Sequence, residues 1–161
     1  MSRERLLRSA TSLNLGIVRL TMQWTPGQTR LSAAQENVVR MARSSGRLEI
    51  IYTLSFDRGR DAPTTDESRL RFVSWARDLV AHGAILVEAT NEPMQPLFWS
   101  SIDPAGQYAD LLVDLYSALH SERPDVTVIA GSLARHNARS FMAQLTNALG
   151  GTVEHVQVDT D

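Results

Sequence analysis

The stretch TTDESRLRFVSWARDLVAHGAILVEATNEP, residues 64–93, contains one complete helix–strand unit together with its turn residues. Apolar side chains recur at helical spacing over residues 70–80, and a glycine then ends that pattern. Thr64 and Glu67 have the spacing of a capping box, which predicts where the helix begins. Residues 85–89 have the apolar composition of a buried strand. A helix followed directly by a short apolar strand is the building unit of a parallel α/β sheet.

The same unit recurs on both sides of this stretch. Asp103 followed by Pro104 predicts the start of another helix, and Asn137 predicts the N-cap of the last one. Strands are predicted to begin near residues 17, 48, 85, 126 and 153, the last one covering 153–158. The fold class is therefore α/β, with about five parallel strands and intervening helices.

Two architectures fit this order of elements. An open, doubly wound five-stranded sheet suits the length of 161 residues by itself. A (β/α)8 barrel needs eight strands and typically ~250 residues, so this chain would supply only part of one. The strand order distinguishes them, because sequential neighbours indicate a barrel arc and a reversal indicates a doubly wound sheet. In either case we expect residues 1–161 to form a single domain.

Composition excludes several classes of function. The chain is 43% apolar and 21% charged with a net charge of -2, so it is globular and lacks the basic excess of a nucleic-acid-binding protein. No apolar run approaches the roughly 20 residues of a membrane span. No secretory signal is visible, which leaves a cytoplasmic location as the default. Cysteine is absent, so thiolate metal sites and cysteine nucleophiles are excluded.

The charge is split along the chain. Residues 1–77 hold 13 arginines against 7 acidic residues, whereas residues 78–161 hold 3 arginines against 11 acidic residues. The split is consistent with an acidic cleft in the second half, or with packing of a basic half against an acidic half.

Polar residues at the carboxyl ends of the strands are the candidates for function, because ligands bind at that edge in both architectures. No G-x-G-x-x-G or Walker loop follows any strand, and the four histidines lack metal-ligand spacing. We therefore predict neither a cofactor nor a metal. The sharpest motif at this edge is Glu88-Ala89-Thr90-Asn91-Glu92-Pro93.

This motif resembles the acid/base motif of clan A glycoside hydrolases, most closely family 39 and cellulase-like members. Further segments are similar to the same barrel in the same order: Leu15 to Arg19 with Trp24, residues 72–76, residues 103–112 and residues 128–134. The resemblance implies that the chain covers about strands 2–6 of the barrel and is incomplete at both ends. It also implies a carbohydrate substrate.

What the resemblance implies for chemistry is a retaining mechanism with two carboxylates. Glu92 would protonate the leaving oxygen and then activate water, and Asn91 would hydrogen-bond the sugar 2-hydroxyl. The alternative for both residues is an ordinary solvated turn at a strand end. Arg19 corresponds to the arginine that orients the carboxylates in the family, and Glu88 is its candidate partner. A surface arginine is the alternative.

The retaining mechanism also needs a second carboxylate, which acts as the nucleophile. The resemblance places it at the end of a seventh strand, which this sequence does not contain. Glu88 is rejected because four residues of extended strand separate it from Glu92 by about 13 Å, whereas a retaining pair needs ~5–5.5 Å. Asp57, Asp159 and Asp161 also follow strands. A frayed acidic terminus is the favoured interpretation of the last two. We therefore predict that the chain is inactive by itself.

Three tryptophans complete the candidates. Trp24 and Trp99 follow strands, where an indole either stacks on a sugar or packs within its loop. Trp75 lies on the apolar stripe of a helix, which predicts a core position.

The function that the resemblance implies is hydrolysis of O-glycosyl bonds, of β-linked xyloside or glucoside type. Two alternatives stay open: a non-catalytic carbohydrate-binding or scaffold domain, and an open-sheet α/β protein that binds a small molecule. A partial barrel exposes sheet edges, so we also expect self-association or a requirement for the remainder of the barrel.

Overall fold

The computed structural model describes residues 3–46, 48–133, 137–150 and 157–158. Within these ranges the chain alternates between helices and strands, as predicted. The helices are α1 (Arg3–Ser12), α2 (Ala33–Ser44), α3 (Asp66–Ala81), α4 (Pro104–Glu122) and α5 (Ala138–Ala148), with a 3-10 turn at Gly59–Asp61. The strands are β1 (Ile17–Gln23), β2 (Glu49–Ser55), β3 (Leu86–Ala89), β4 (Thr127–Ala130) and β5 (Gln157–Val158). No helix in the described ranges is long and apolar enough to cross a membrane.

The strands form one parallel sheet in the order β1-β2-β3-β4-β5. Consecutive strands are therefore neighbours throughout, and the order never reverses. This sequential order is that of a barrel arc and contradicts the open, doubly wound alternative. Of the last predicted strand, residues 153–156 lie outside the described part of the chain, and β5 covers its final two residues.

The two faces of the sheet differ because successive side chains of a strand point in opposite directions. Right-handed crossovers between sequential parallel strands place the helices on one face. The side chains on that face are buried in the core, and they include Leu20, Met22, Tyr52, Leu54, Val87 and Val128. The opposite face carries Arg19 and Thr21, which are exposed, and Ile17, which is 50% exposed.

Helix α3 begins one residue later than the capping-box prediction. The N-cap is Thr65, whose side chain accepts a hydrogen bond from the Ser68 N–H. The Ser68 hydroxyl in turn accepts from the Thr65 N–H at 3.0 Å. The predicted pair of Thr64 and Glu67 is therefore wrong, although the motif itself is present in the next register.

Two other predicted caps have different outcomes. Asp103 caps α4, since its carboxylate accepts from the Gly106 N–H at 3.0 Å and Pro104 is the first helical residue. Asn137 lies at the N-cap of α5, but its φ is 68° and its side chain makes no capping hydrogen bond. Asparagine adopts this left-handed backbone more readily than most other residues.

Aromatic rings occupy the space between the sheet and helices α3 and α4. Trp24 packs edge-on against Phe72 with ring centroids 5.2 Å apart, and Trp99 packs against Tyr108 at 5.6 Å. Trp75 is fully buried beside Phe72, which confirms its predicted core position.

Candidate functional site

The Asn-Glu-Pro motif lies on a sharp turn directly after β3. The strand ends at Ala89, and the backbone of both Thr90 (φ 68°) and Glu92 (φ 45°) is left-handed. That conformation is uncommon for residues other than glycine and is maintained only where surrounding contacts enforce it. Because the chain turns here, the separation of about 13 Å that an extended strand implies between residues 88 and 92 does not apply.

Two cross-strand contacts hold this turn. The Glu92 N–H donates to the Ser132 carbonyl, just beyond β4, at 2.9 Å. The buried Tyr108 hydroxyl donates to the Ala89 carbonyl at 2.5 Å and accepts from the Gly131 N–H at 2.6 Å. Burial raises the pKa of Tyr108, so the phenol remains a donor at neutral pH. The ends of β3 and β4 are thereby joined through one side chain of α4.

Arg19 and Glu88 form an ion pair across the sheet face that faces away from the helices. The Arg19 Nε and Nη2 atoms each lie 2.6 Å from a different oxygen of the Glu88 carboxylate. The Glu88 side chain is 6% exposed and that of Arg19 is 45% exposed. The predicted pairing is confirmed, and the two-point geometry is the strong form of the arginine–carboxylate contact.

Two hydroxyl residues complete the surroundings of Glu88. The Thr53 hydroxyl donates to Oε2 of Glu88 and accepts from the Arg19 Nε–H at 2.8 Å. The backbone N–H of Ser132 donates to Oε1 of Glu88 at 3.3 Å. Both carboxylate oxygens therefore accept at least two hydrogen bonds, as a buried charge requires.

The Asn91 carboxamide joins the same network through its oxygen. Its Oδ1 accepts from Arg19 Nη2 at 3.1 Å and from the Ser132 hydroxyl at 2.5 Å. Asn91 is half-buried, and no described residue accepts a hydrogen bond from its Nδ2 group. The amide therefore has a donor group left for another molecule.

Glu92 differs from Glu88 in its surroundings. It is partly exposed, and no residue in the described ranges donates a hydrogen bond to its carboxylate. Two carboxylates four residues apart are thus placed in different environments: Glu88 is saturated by donors and Glu92 is open to a ligand. That contrast is a common basis for dividing roles between two acids.

The two candidate tryptophans lie elsewhere in the molecule. Trp24 and Trp99 are each 1% exposed, and the Trp24 Nε1–H donates to the Gln28 carbonyl at 2.8 Å. Neither indole has a free face for a sugar, so their prediction as substrate-binding residues is corrected to core packing. The prediction rested on the position of both tryptophans after strands. It was wrong because the apolar core extends up to the carboxyl edge of the sheet.

The remaining candidate site residues are the aspartates that follow other strands. Asp57 follows β2 and its side chain is 80% exposed, with Arg58 3.4 Å away. Asp159 and Asp161 lie outside the described residues. Within the described ranges, no group of three or more His, Asp or Glu side chains is placed to bind a metal.

Thr53, Tyr108 and Ser132 were not predicted as site residues. Each of them reaches the site from an element other than β3. Thr53 lies on β2, Ser132 lies just beyond β4, and Tyr108 belongs to α4. The available signal was weak: Thr53 and Ser132 are polar residues within or directly after predicted apolar strands.

Comparisons with known proteins support the fold. A scan against protein-family models finds no match, and a search of curated proteins finds none. Among solved structures, the chain is similar to a glucosidase from Croceicoccus marinus, with a TM-score of 0.67 and 13% identity over 88% of this chain. It is also similar to the catalytic domain of the GH30 xylanase C from Talaromyces cellulolyticus, with a TM-score of 0.60 and 17% identity over 95% of this chain.

A third similar structure is a family 51 α-L-arabinofuranosidase from Bifidobacterium longum, with a TM-score of 0.56 and 13% identity over 96% of this chain. The three similar structures are thus a glucosidase, a xylanase and an arabinofuranosidase. This chain spans 37%, 48% and 38% of their respective lengths. The chain has the fold of part of a (β/α)8 barrel. At these identities the likeness establishes the fold alone, and family 39 is not among these three structures.

Proposed function

We propose that the chain carries the acid/base side of a retaining glycoside hydrolase site, with Glu92 as proton donor and acceptor and Asn91 as a ligand of the sugar. The substrate class is an O-glycoside of β-xyloside or β-glucoside type. The observation that carries the proposal is the fixed Asn91 amide beside a Glu92 carboxylate that no described residue pairs with, at the carboxyl edge of the sheet. The similarity to barrel glycoside hydrolases supports it.

The chemistry assigned to Glu92 has two steps. In the first, the carboxylic acid donates its proton to the glycosidic oxygen as the bond between that oxygen and the anomeric carbon breaks. In the second, the carboxylate takes a proton from water as the water oxygen bonds to the anomeric carbon and the bond between that carbon and the nucleophile breaks. Asn91 would donate from Nδ2 to the 2-hydroxyl, a hydrogen bond that strengthens in the transition state.

The first step also needs a nucleophile, and Glu88 does not fit that role. Its two oxygens are occupied by Arg19, Thr53 and Ser132, and a nucleophilic oxygen has to be free to approach the anomeric carbon. We therefore propose that Arg19 and Glu88 orient Asn91 electrostatically, and that the chain by itself does not turn over glycosides.

Azide rescue of a poorly activated substrate tests this assignment. Phenyl β-glucoside or phenyl β-xyloside is incubated with the chain, with and without sodium azide. Azide would form the bond to the anomeric carbon while Glu92 protonates the departing phenolate. We expect no phenol release without azide, release of glycosyl azide with it, and a loss of roughly 100-fold or more in Glu92→Gln.

Glu67→Gln is the matched control, because Glu67 is an exposed residue of α3 paired with Arg71. Turnover without azide that disappears in Glu92→Gln would contradict the proposed inactivity. Saccharide binding without azide-dependent release would indicate a non-catalytic carbohydrate-binding domain. The absence of both binding and release would overturn the proposed function.

A further inference from the structure

Ser132 contacts three functional positions of β3 and its turn at once. Its N–H donates to the Glu88 carboxylate at 3.3 Å, its hydroxyl donates to Asn91 Oδ1 at 2.5 Å, and its carbonyl accepts from the Glu92 N–H at 2.9 Å. Ser132, just beyond β4, thus contacts the Arg19–Glu88 ion pair, the Asn91 amide and the turn at Glu92. No role of Ser132 follows from the proposed function itself.

The Ser132 hydroxyl and Arg19 together determine which side of the Asn91 amide meets a ligand, because the hydroxyl accepts from Arg19 Nη2 at 3.5 Å and therefore turns its own proton towards Asn91. Oδ1 accepts from both Ser132 and Arg19. If the amide were rotated by half a turn, its Nδ2 donors would face the Arg19 guanidinium, which has no acceptor. The observed orientation leaves the Nδ2–H groups for the ligand, so a ligand must offer an acceptor oxygen there.

We infer that Ser132 is a positioning residue that, together with Arg19, sets the orientation of the Asn91 carboxamide and makes it a hydrogen-bond donor toward a sugar hydroxyl. The inference rests on the proposed function for the identity of the ligand and on geometry alone for the positioning. The backbone contacts of Ser132 to Glu88 and Glu92 do not depend on its side chain. Ser132→Ala therefore removes the hydroxyl contacts with Asn91 and Arg19 and leaves the backbone contacts of the turn in place.

The positioning role is tested first without any ligand, by NMR of the Asn91 side-chain amide. We expect its ¹⁵N and proton resonances to shift or broaden in Ser132→Ala and to stay near their wild-type positions in Ser132→Thr, which retains a hydroxyl. Ser55→Ala is the control, because the Ser55 hydroxyl lies at the end of β2 and, among the described residues, donates to the Phe56 carbonyl alone. Unchanged Asn91 resonances in Ser132→Ala would overturn the inference.

The ligand arm uses methyl β-glucoside and its 2-deoxy analogue in NMR titrations. We expect the wild-type chain and Ser132→Thr to bind the 2-hydroxylated sugar roughly fivefold more tightly, and Ser132→Ala to lose that preference. A preference that persists in Ser132→Ala would overturn the inference. If neither glucoside binds but the Asn91 resonances respond as expected, the positioning role is supported and the proposed function fails.

Discussion

Two buried tyrosines illustrate how single residues of this sheet respond to their surroundings. Tyr108 uses its hydroxyl to join β3 and β4, as described above. Tyr52 lies on the helix-facing side of β2 and is 3% exposed. Burial raises the pKa of Tyr52 to about 12, and the positive charge of Arg43 opposes that shift only in part. Both phenols are therefore held in their protonated form by the fold.

The first prediction is a loss of stability at alkaline pH that depends on Tyr52. A phenol has a pKa near 10 in the unfolded chain, so its contribution is complete below pH 10 and is lost as the pH rises towards about 12. We expect the free energy of unfolding, measured in urea, to fall by roughly 2–3 kcal/mol from this residue across that interval. Tyr52→Phe should flatten that decline.

The control is Tyr116→Phe, at a partly exposed tyrosine of α4. It removes a phenol hydroxyl from a helix rather than from the sheet, and so shows the effect of a Tyr→Phe exchange apart from the burial of Tyr52. An unaltered slope in Tyr52→Phe would contradict the prediction. Tyr108 is unsuitable for this comparison, because its substitution also removes two hydrogen bonds that join β3 to β4.

At the scale of elements, the start of α3 shows why a motif alone does not fix a helix boundary. Two threonines in succession give two capping registers one residue apart, and the structure uses Thr65 with Ser68. In this register Phe72, Trp75 and Leu79 are all fully buried. Burial of that stripe favours one register, and this information lies in the packing rather than in the capping motif.

The second prediction compares the two threonines. Thr65→Ala should lower the stability by about 1 kcal/mol, because the Ser68 N–H loses its acceptor. Thr64→Ala should change the stability by less than about half of that, since Thr64 lies before the cap and its N–H bonds to the Ala62 carbonyl. Urea denaturation of both variants checks the difference, and a larger effect at Thr64 would restore the register predicted from sequence.

The site, like the start of α3, was predictable only where sequence alone is informative and not where packing and strand register decide. The pairing of Arg19 with Glu88 was predictable because both residues are charged and belong to strands that the barrel assignment places on one sheet. The contacts of Thr53 and Ser132 with Glu88 were not predictable, because they depend on the strand register. In that register Thr53 lies directly beside Glu88. The prediction that Trp24 and Trp99 bind substrate was wrong because composition does not show how far the core extends towards the carboxyl edge of the sheet.

On the scale of the whole molecule, the helices of the described ranges cover one face of the sheet and leave the other face uncovered. The second face carries Ile17, which is 50% exposed, together with the partly exposed Ile51 and Ile129. In the described part of the chain, β1 pairs only with β2 and is an edge strand. Exposed apolar side chains beside an unpaired edge favour association with another sheet.

The charge distribution acts on the same scale. The first half of the chain is basic and holds β1, whereas the second half is acidic and holds β4. Two copies arranged with the first half of one against the second half of the other would place opposite charges together. Salt weakens such an attraction between exposed charges, so this contribution to association should decrease as ionic strength rises.

The last prediction is that the purified chain self-associates through this face, and that Ile17→Lys weakens the association about tenfold. The substitution removes apolar area and adds a charge to the edge strand, both of which oppose pairing. Leu70→Lys is the matched control, since Leu70 is 69% exposed on α3 and faces away from the sheet. Sedimentation velocity over a range of concentrations measures both variants. A monodisperse monomer for the unsubstituted chain would contradict the prediction, as would equal weakening by the two substitutions, because general solubility rather than the sheet face would then control association.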